Sequence, residues 1–291
     1  MNNKMIVARK VAANIITKTG YDVEVKVMAK NNQDRVALIV NIGNDTIRPT
    51  VYLPTDMSDD PTDEKINTVA TDMIKALKNC SGGISEMANI KDWFSEALSS
   101  KEKLLANVTF SLVNRNWNSG RNWVSTPVDG DLQYIYELVN PDVTNGSVCS
   151  VKITADHIAE LGVTPDELLE AALRNTPERQ PATFKDIADV LRLFPMPHDL
   201  MYVITNKQSC KGAGCIMYPE MQKKIAEVFG DDYVILPSSI HETIVIRMSA
   251  DMDIDQVNAL INEVNITTVA EDERLSDHAY KFVYGKFVSI I

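Results

Sequence analysis

The sequence lacks basic clusters and long apolar stretches, and both absences narrow the classes of protein to which it can belong. It carries 29 lysine and arginine residues against 40 aspartate and glutamate residues, for a net charge of -11. An acidic surface repels phosphate backbones, so we expect no general nucleic-acid binding. No apolar run approaches the ~18 residues that are needed to span a bilayer, so we expect no membrane partner.

The first segment, MNNKMIVARKVAANIITKTG, has apolar side chains at helical spacing, but basic residues interrupt them. A secretory signal needs an unbroken apolar segment followed by a small-residue cleavage site, and this segment has neither. We therefore interpret it as an amphipathic helix and expect a soluble, cytoplasmic protein.

Cysteine and histidine are scarce, and their spacing does not match a metal signature. The last two cysteines are separated by four residues, whereas common zinc sites use a tighter spacing. Two histidines follow an acid, at Asp156–His157 and Asp277–His278, a pattern that is typical of solvated faces. We expect reduced thiols, no metal site and no cofactor; the residues concerned are Cys80, Cys149, Cys210, Cys215, His157, His198, His241 and His278.

The residue patterns predict an α+β fold of mainly antiparallel sheets with helices on one face. A chain of 291 residues that is 45% hydrophobic is long enough for roughly two domains. Residues 1–105 are predicted to form an α-β-β-β-α domain, since the first helix is followed by YDVEVKVMA, RVALIVNIG, IRPTVYLP and the capped helix DPTDEKINTVATDMIKALKNCSGG. Residues 106–291 are predicted to form a C-terminal α+β domain.

Two segments of the C-terminal part resemble each other. Residues 131–162 and 199–230 both begin Asp-Leu-x-Tyr, both reach a cysteine-led stretch after a glycine, and both contain Ile-Ala-Glu before a final glycine. We interpret them as a duplicated β-β-α unit. The first copy continues into TPDELLEAALRNTPERQP, in which Thr164 and Glu167 form a predicted capping box around Pro165.

A serine-histidine-glutamate knot lies between two apolar runs in DDYVILPSSIHETIVIR. Its residues Ser238, Ser239, His241 and Glu242 could act as an acid/base group with an assisting hydroxyl. Known triads draw their members from distant parts of a chain, and no Gly-x-Ser-x-Gly elbow is present. The alternatives are a turn in which Ser239 and Glu242 satisfy backbone donors, or a ligand or partner contact.

The segment TNKQSCKGAG follows a predicted strand and combines lysines with glycines. Backbone amides at Gly212 and the side chains of Asn206, Lys207 and Lys211 could hold an anion. The Gly-Lys-Ser/Thr ending of a phosphate-binding loop is absent, so a plain hairpin turn is the alternative.

The loop RNWNSGRNWVSTPVDGD carries two tryptophans, Trp117 and Trp123, with Arg115 and Arg121. Tryptophan and arginine are enriched at binding hot spots, so this loop is a candidate partner surface. The alternative is that both indoles are buried in the core beneath the loop.

Several of these motifs together resemble an uncharacterised bacterial family, a domain of unknown function that is common in gut anaerobic Firmicutes. The resemblance covers nearly the whole chain, and its most specific parts are Thr205-Asn206-Lys207, Gly212-Ala213, Tyr218-Pro219 and Leu236-Pro237-Ser238-Ser239-x-His241-Glu242. It implies a fold and a bacterial source, but no activity.

The sequence leaves the function unknown and favours one class over another. We expect a non-enzymatic intracellular protein that binds a protein partner or a small ligand, because no strong catalytic motif is present. The alternative is a hydrolase-like enzyme that uses the loop 238–242 for acid/base chemistry.

Overall fold

The computed structural model describes residues 2–41, 48–80, 84–128, 130–140, 149–191, 200–249 and 251–291. Of these, residues 2–93 belong to one compact unit, and residues 94–140 and 149–291 belong to a second. Among the described residues, no helix is long and apolar enough to cross a membrane.

The first unit is a three-stranded antiparallel sheet with helices, and its first five elements have the order α-β-β-β-α. Its elements are α1 (Asn2–Thr19), β1 (Asp22–Ala29), β2 (Asp34–Asn41), β3 (Thr50–Tyr52), α2 (Asp63–Cys80) and α3 (Ile84–Ala97), the last of which contains the division between the units. The strand order is β1-β2-β3. The boundary predicted at residue 105 stays a prediction.

The core of the first unit explains why these strands and helices form. Alternate side chains of β2, among them Val36 and Leu38, point to one face and are buried. On α1, Val11 and Ile15 recur at helical spacing and pack against that face, together with Val69 on α2. The alternating apolar residues of β2 and the helically spaced apolar residues of α1 and α2 therefore form one apolar core.

The second unit contains two further antiparallel sheets. Its helices are α4 (Lys101–Asn107), α5 (Ala155–Leu161), α6 (Pro165–Arg179), α7 (Ile187–Leu191), α8 (Pro219–Phe229) and α9 (Ile254–Thr267). Its strands are β4 (Val108–Asn114), β5 (Ser125–Pro127), β6 (Leu132–Val139), β7 (Ser150–Lys152), β8 (Ala182–Asp186), β9 (Met201–Asn206), β10 (Tyr233–Leu236), β11 (Thr243–Arg247), β12 (Ala279–Val283) and β13 (Lys286–Ile290).

The smaller sheet of this unit has the order β4-β6-β5, and β7 also pairs with β6. The larger has the order β13-β12-β10-β11-β9-β8. Helix α6 packs against β4, and its Thr176 hydroxyl accepts a hydrogen bond from the Phe110 N–H at 3.0 Å. Antiparallel sheets combined with helices confirm the predicted α+β class.

The predicted duplication is not confirmed, because the two segments differ at their second strand. The first contains the antiparallel pair β6 and β7 and then α5. In the second, β9 is followed by a 3₁₀ helix, Gly212–Met217, and then by α8, so the predicted cysteine-led strand is wrong there. Gly212 and Gly214 are buried, and neighbouring atoms of Asn206, His241 and Phe110 lie so close to them that a side chain has little room.

The predicted capping box at the start of α6 is confirmed. The Thr164 hydroxyl accepts from the Glu167 N–H at 3.3 Å, and the Glu167 carboxylate accepts from the Thr164 N–H at 3.0 Å. Pro165 occupies the first turn, where no intrahelical donor is lost.

Candidate functional site

The serine-histidine-glutamate knot forms the turn between β10 and β11. The Ser239 N–H donates to the Glu242 carbonyl at 3.1 Å, and the Ser239 hydroxyl accepts from the His241 N–H at 3.1 Å. The Ser238 hydroxyl lies 3.4 Å from Glu242 Oε1. Both serine hydroxyls therefore hold the turn together, which is the arrangement of a side-chain-capped loop and not of a nucleophile paired with a base.

The His241 ring is fixed by the neighbouring loop. Its Nδ1 accepts the backbone N–H of Lys211 at 3.1 Å, so the proton of the neutral ring is on Nε2, which lies 3.6 Å from Glu273 Oε1. The His241 carbonyl also accepts from the Thr205 hydroxyl at 2.7 Å. His241 thus positions the backbone of this loop, residues 206–212, which we call the lysine loop.

That loop, residues 206–212, has a strained backbone that several contacts hold in place. Ser209 and Lys211 have φ angles of 51° and 53°, which non-glycine residues rarely adopt. The Asn206 side chain donates to the Cys210 carbonyl at 2.7 Å and accepts from the Cys210 N–H at 3.2 Å. A side chain at Gly212 would lie 2.5 Å from the Asn206 backbone nitrogen and 2.8 Å from the His241 carbonyl oxygen. The loop is therefore specific in shape, and strain of this kind clusters at functional sites.

The loop directs the Lys211 side chain onto a buried carboxylate. The Lys211 ammonium forms an ion pair with Glu137 Oε2, and it donates to the Ser150 hydroxyl at 2.8 Å. Glu137 is 1% exposed in the middle of β6, whereas the Lys211 side chain remains 25% exposed. The pair links residues that lie 74 positions apart.

Electrostatics keep this carboxylate charged. Burial alone would raise the pKa of Glu137, but the charges of Lys211 and Lys152 and hydrogen bonds with Lys211 and Ser150 outweigh burial and lower it. Lys152 lies directly opposite Glu137 in the β6–β7 pair. The Lys211 ammonium therefore contacts the buried carboxylate, and the charge of Lys152 acts on it from the facing residue of β7. We call Glu137, Ser150, Lys152 and Lys211 the lysine centre.

A chain of hydrogen bonds joins the lysine loop to β6 by a second route. The Asn206 amide donates to Gln180 Oε1 at 3.2 Å, and Gln180 Nε2 lies 3.4 Å from the Thr109 hydroxyl. That hydroxyl donates to the Glu137 carbonyl at 3.0 Å. Buried networks of this kind fix side-chain positions when each member has a partner.

The structure brings together some of the predicted ligand-binding residues and separates others. Asn206, Lys211 and Gly212 all shape the lysine centre, whereas the exposed Lys207 bonds only through its backbone N–H, to the Pro181 carbonyl at 3.1 Å, among the described contacts. Sequence reasoning missed Glu137. The signal was an acid inside the apolar strand LQYIYELV, where a charge needs a buried partner.

The two tryptophans of the segment RNWNSGRNWVSTPVDGD lie in different surroundings. The half-buried Trp123 lies beneath the Lys152 ammonium, 4.3 Å from the ring centroid, and the Arg121 guanidinium lies 5.9 Å from the same ring. Trp117 is also half-buried, and its backbone N–H donates to Asn114 Oδ1 at 3.2 Å. Arg115 donates to the Gly130 carbonyl at 2.9 Å. Neither indole is fully buried, and of the two it is Trp123 that lies beside the lysine centre.

A second polar cluster surrounds Asp131 and was not expected from the sequence. Its carboxylate accepts from Asn114 at 2.5 Å, from Ser276 at 3.0 Å and from the Tyr280 hydroxyl, and His278 Nε2 lies at 3.2 Å. The expectation that His278 lies on a solvated face is therefore wrong. Because Asn114 ends β4 and Tyr280 lies in β12, this cluster fastens the two sheets of the second unit together.

The Asp131 cluster serves stability. Burial raises the pKa of Asp131, but hydrogen bonds from His278, Tyr280 and Ser276 outweigh burial and lower it to about 2. Ser276 and Tyr280 are fully buried, so a substrate could not reach their hydroxyls.

Metal-binding side chains are dispersed in the described part of the chain. Within it, no group of three or more histidine, cysteine, aspartate or glutamate residues is arranged to hold a metal ion. Cys149, Cys210 and Cys215 are not in disulfides. Burial raises the pKa of the Cys215 thiol to about 11, so it is unreactive at neutral pH.

Comparison with known proteins identifies the family of this chain. A model of a family of unknown function, DUF5688, matches residues 4–283. No curated protein and no solved structure matches the chain. The resemblance to a family of unknown function over nearly the whole chain is confirmed, while its bacterial source stays a prediction. The chain belongs to the DUF5688 family, whose function is unknown.

Proposed function

We propose that this chain is a non-enzymatic binding protein whose second unit takes a small anionic ligand at the lysine centre. One observation carries the proposal. Lys211 is presented by a strained, hydrogen-bonded loop to a buried carboxylate that also feels the charge of Lys152. That site has one positive charge in excess, within a chain of net charge -11.

The Lys211 ammonium has a third N–H donor for a ligand. An ammonium group has three N–H donors, and Glu137 and Ser150 take two of them. A quarter of the Lys211 side chain is exposed, and the proposal assigns the third donor to the anion. Trp123 beside Lys152 adds an aromatic surface for the apolar part of such a ligand.

The same geometry favours binding over hydrolysis. A carboxylate whose pKa is lowered is a weak base at neutral pH, so Glu137 is poorly suited to activate Ser150. His241 uses Nδ1 to hold the Lys211 backbone, and the serines of the knot are bonded within their own turn. These contacts weigh against the alternative of acid/base chemistry in the loop 238–242.

The proposal is tested by calorimetric titration of the full chain with acetate, succinate, benzoate and inorganic phosphate. We expect at least one of them to bind, with an affinity that falls as salt concentration rises. Lys211→Met should abolish that binding, whereas Lys207→Met, a matched change in the same loop, should leave it intact.

Because loss of Lys211 alone leaves a buried charge, a second variant separates folding from binding. Lys211→Met/Glu137→Leu removes both charges and should restore stability without restoring binding. Binding of the same anion by this double variant, or the absence of binding of all four probes to the wild type, would overturn the proposal.

A further inference from the structure

The first strand of the first unit is an edge strand. β1 pairs with β2 from Asp22 to Ala29, and within the described residues it forms the outer strand of its sheet. An edge strand of eight residues presents a row of backbone donors and acceptors that another strand can pair with.

The hydrogen-bond pattern identifies the residues that face the open edge. On β2, the Val36 carbonyl and the Val40 N–H both bond to residues that flank β3, at 2.9 Å. They therefore point away from β1. In the same way, the backbone N–H and carbonyl groups of their partners Val27 and Val23 point away from β2. By alternation, Val25 also directs its N–H and carbonyl to the open edge.

The sequence around Val25 is complementary to itself. In an antiparallel pair centred on Val25, Val23 lies opposite Val27 of the second copy, and Glu24 lies opposite its Lys26. We propose that two copies of this chain associate through β1 in this register, joining two three-stranded sheets across a twofold axis. Each partner then contributes the same surface, as closed twofold symmetry requires.

Charge selects this register over its neighbours. A shift that centres the pair on Glu24 places two glutamates opposite each other, and a centre on Lys26 does the same with two lysines. Like charges directly opposite each other destabilise a strand pair, while opposite charges stabilise it. A lysine on an edge strand normally opposes pairing, but here Glu24, which already contacts Lys26 at 2.7 Å within the chain, can meet it from the second copy.

An apolar side chain at the edge also gains a partner. Val27 is 43% exposed, although Val23 and Val25 on the same face pack against the core of the unit. In the proposed pair, Val27 lies opposite Val23 of the second copy. Pairing therefore covers a valine that the single chain leaves in solvent.

The experiment is sedimentation velocity on the full chain over a concentration series, with charge-swap variants. The wild type should form a dimer. Lys26→Glu and Glu24→Lys should each weaken the dimer at least tenfold, because each places like charges across the twofold axis. An equimolar mixture of the two variants should restore dimerisation, since each glutamate then faces a lysine.

Two further variants keep the result interpretable. Val25→Pro removes an outward N–H and costs β1 none of its bonds to β2, so it should give a folded monomer. Lys65→Glu makes the same charge change on α2, at an exposed position, and should leave the dimer intact. A monomeric wild type, a dimer that survives Val25→Pro, or a mixture of charge variants that stays monomeric would each overturn the proposal.

Discussion

Replacing Lys211 by methionine should strongly destabilise the second unit. The substitution keeps much of the side-chain volume but leaves the Glu137 carboxylate buried without its ion-pair partner. Breaking a buried pair by removing one partner costs about 3–5 kcal/mol. Lys152 still acts on Glu137, and Lys211 is partly exposed, so we expect the lower end, about 3 kcal/mol.

The loss can be measured by thermal and urea unfolding followed through tryptophan fluorescence, in which Trp117 and Trp123 report on the second unit and Trp93 on the first. At about 2–4 °C per kcal/mol for a unit of this size, the melting temperature should fall by roughly 6–12 °C. The double variant Lys211→Met/Glu137→Leu should lie within about 1 kcal/mol of the wild type, because replacing a buried pair by apolar residues is often neutral.

The effect should also depend on pH in a defined direction. The folded-state pKa of Glu137 is lowered, so its contribution to stability is fully present above the unfolded pKa of about 4.3 and is lost as pH falls through the folded value. In Lys211→Met the buried carboxylate becomes costly while it is charged, and protonation relieves that cost. The gap between variant and wild type should therefore narrow as pH falls from 7 towards 4.

Two results would refute this reasoning. One is a Lys211→Met protein whose unfolding free energy at pH 7 equals that of Lys207→Met, the exposed lysine of the same loop. The other is a gap that widens at acid pH, since that would mean that the neutral form of Glu137 is the one that Lys211 stabilises.

Three further outcomes test other contacts. Asp131→Asn should lower the free energy of unfolding by about 2 kcal/mol at pH 7 through lost charge-assisted hydrogen bonds. In acid unfolding, the difference from the wild type should fade between pH 4 and about 2, because the folded pKa of Asp131 is about 2. A difference that persists at pH 2 would contradict this. Gly212→Ala should destabilise more than Gly214→Ala, because its new methyl meets backbone atoms while that of Gly214 meets a ring edge at 3.0 Å; equal melting temperatures would count against the close approach. His241→Ala should cost about 1–2 kcal/mol by removing the acceptor of a loop N–H, and a variant that melts at or above the wild type would assign the knot to binding instead.

Local features of the fold were predictable because they depend on neighbours in sequence. Spacing of apolar residues identified α1 and α2, alternation identified β1 and β2, and the capping box at Thr164 fixed the start of α6. The knot at 238–242 also formed the turn that its serines favour. The anion site at the loop 206–212 stays a prediction, and the contact of Lys211 with Glu137 was not predicted.

Tertiary structure decided the parts that depend on distant residues. The Gly-rich segment 212–217 forms a 3₁₀ helix where a strand was predicted, because its glycines pack directly against Asn206, His241 and Phe110. The lysine centre and the Asp131 cluster join residues 74 and 149 positions apart. Elements such as α1, β2 and α6 were predictable from the sequence, since local backbone preferences and side-chain periodicity set them. Only the folded chain determined which charges meet, because a buried charge is stable only beside a partner that long-range packing supplies.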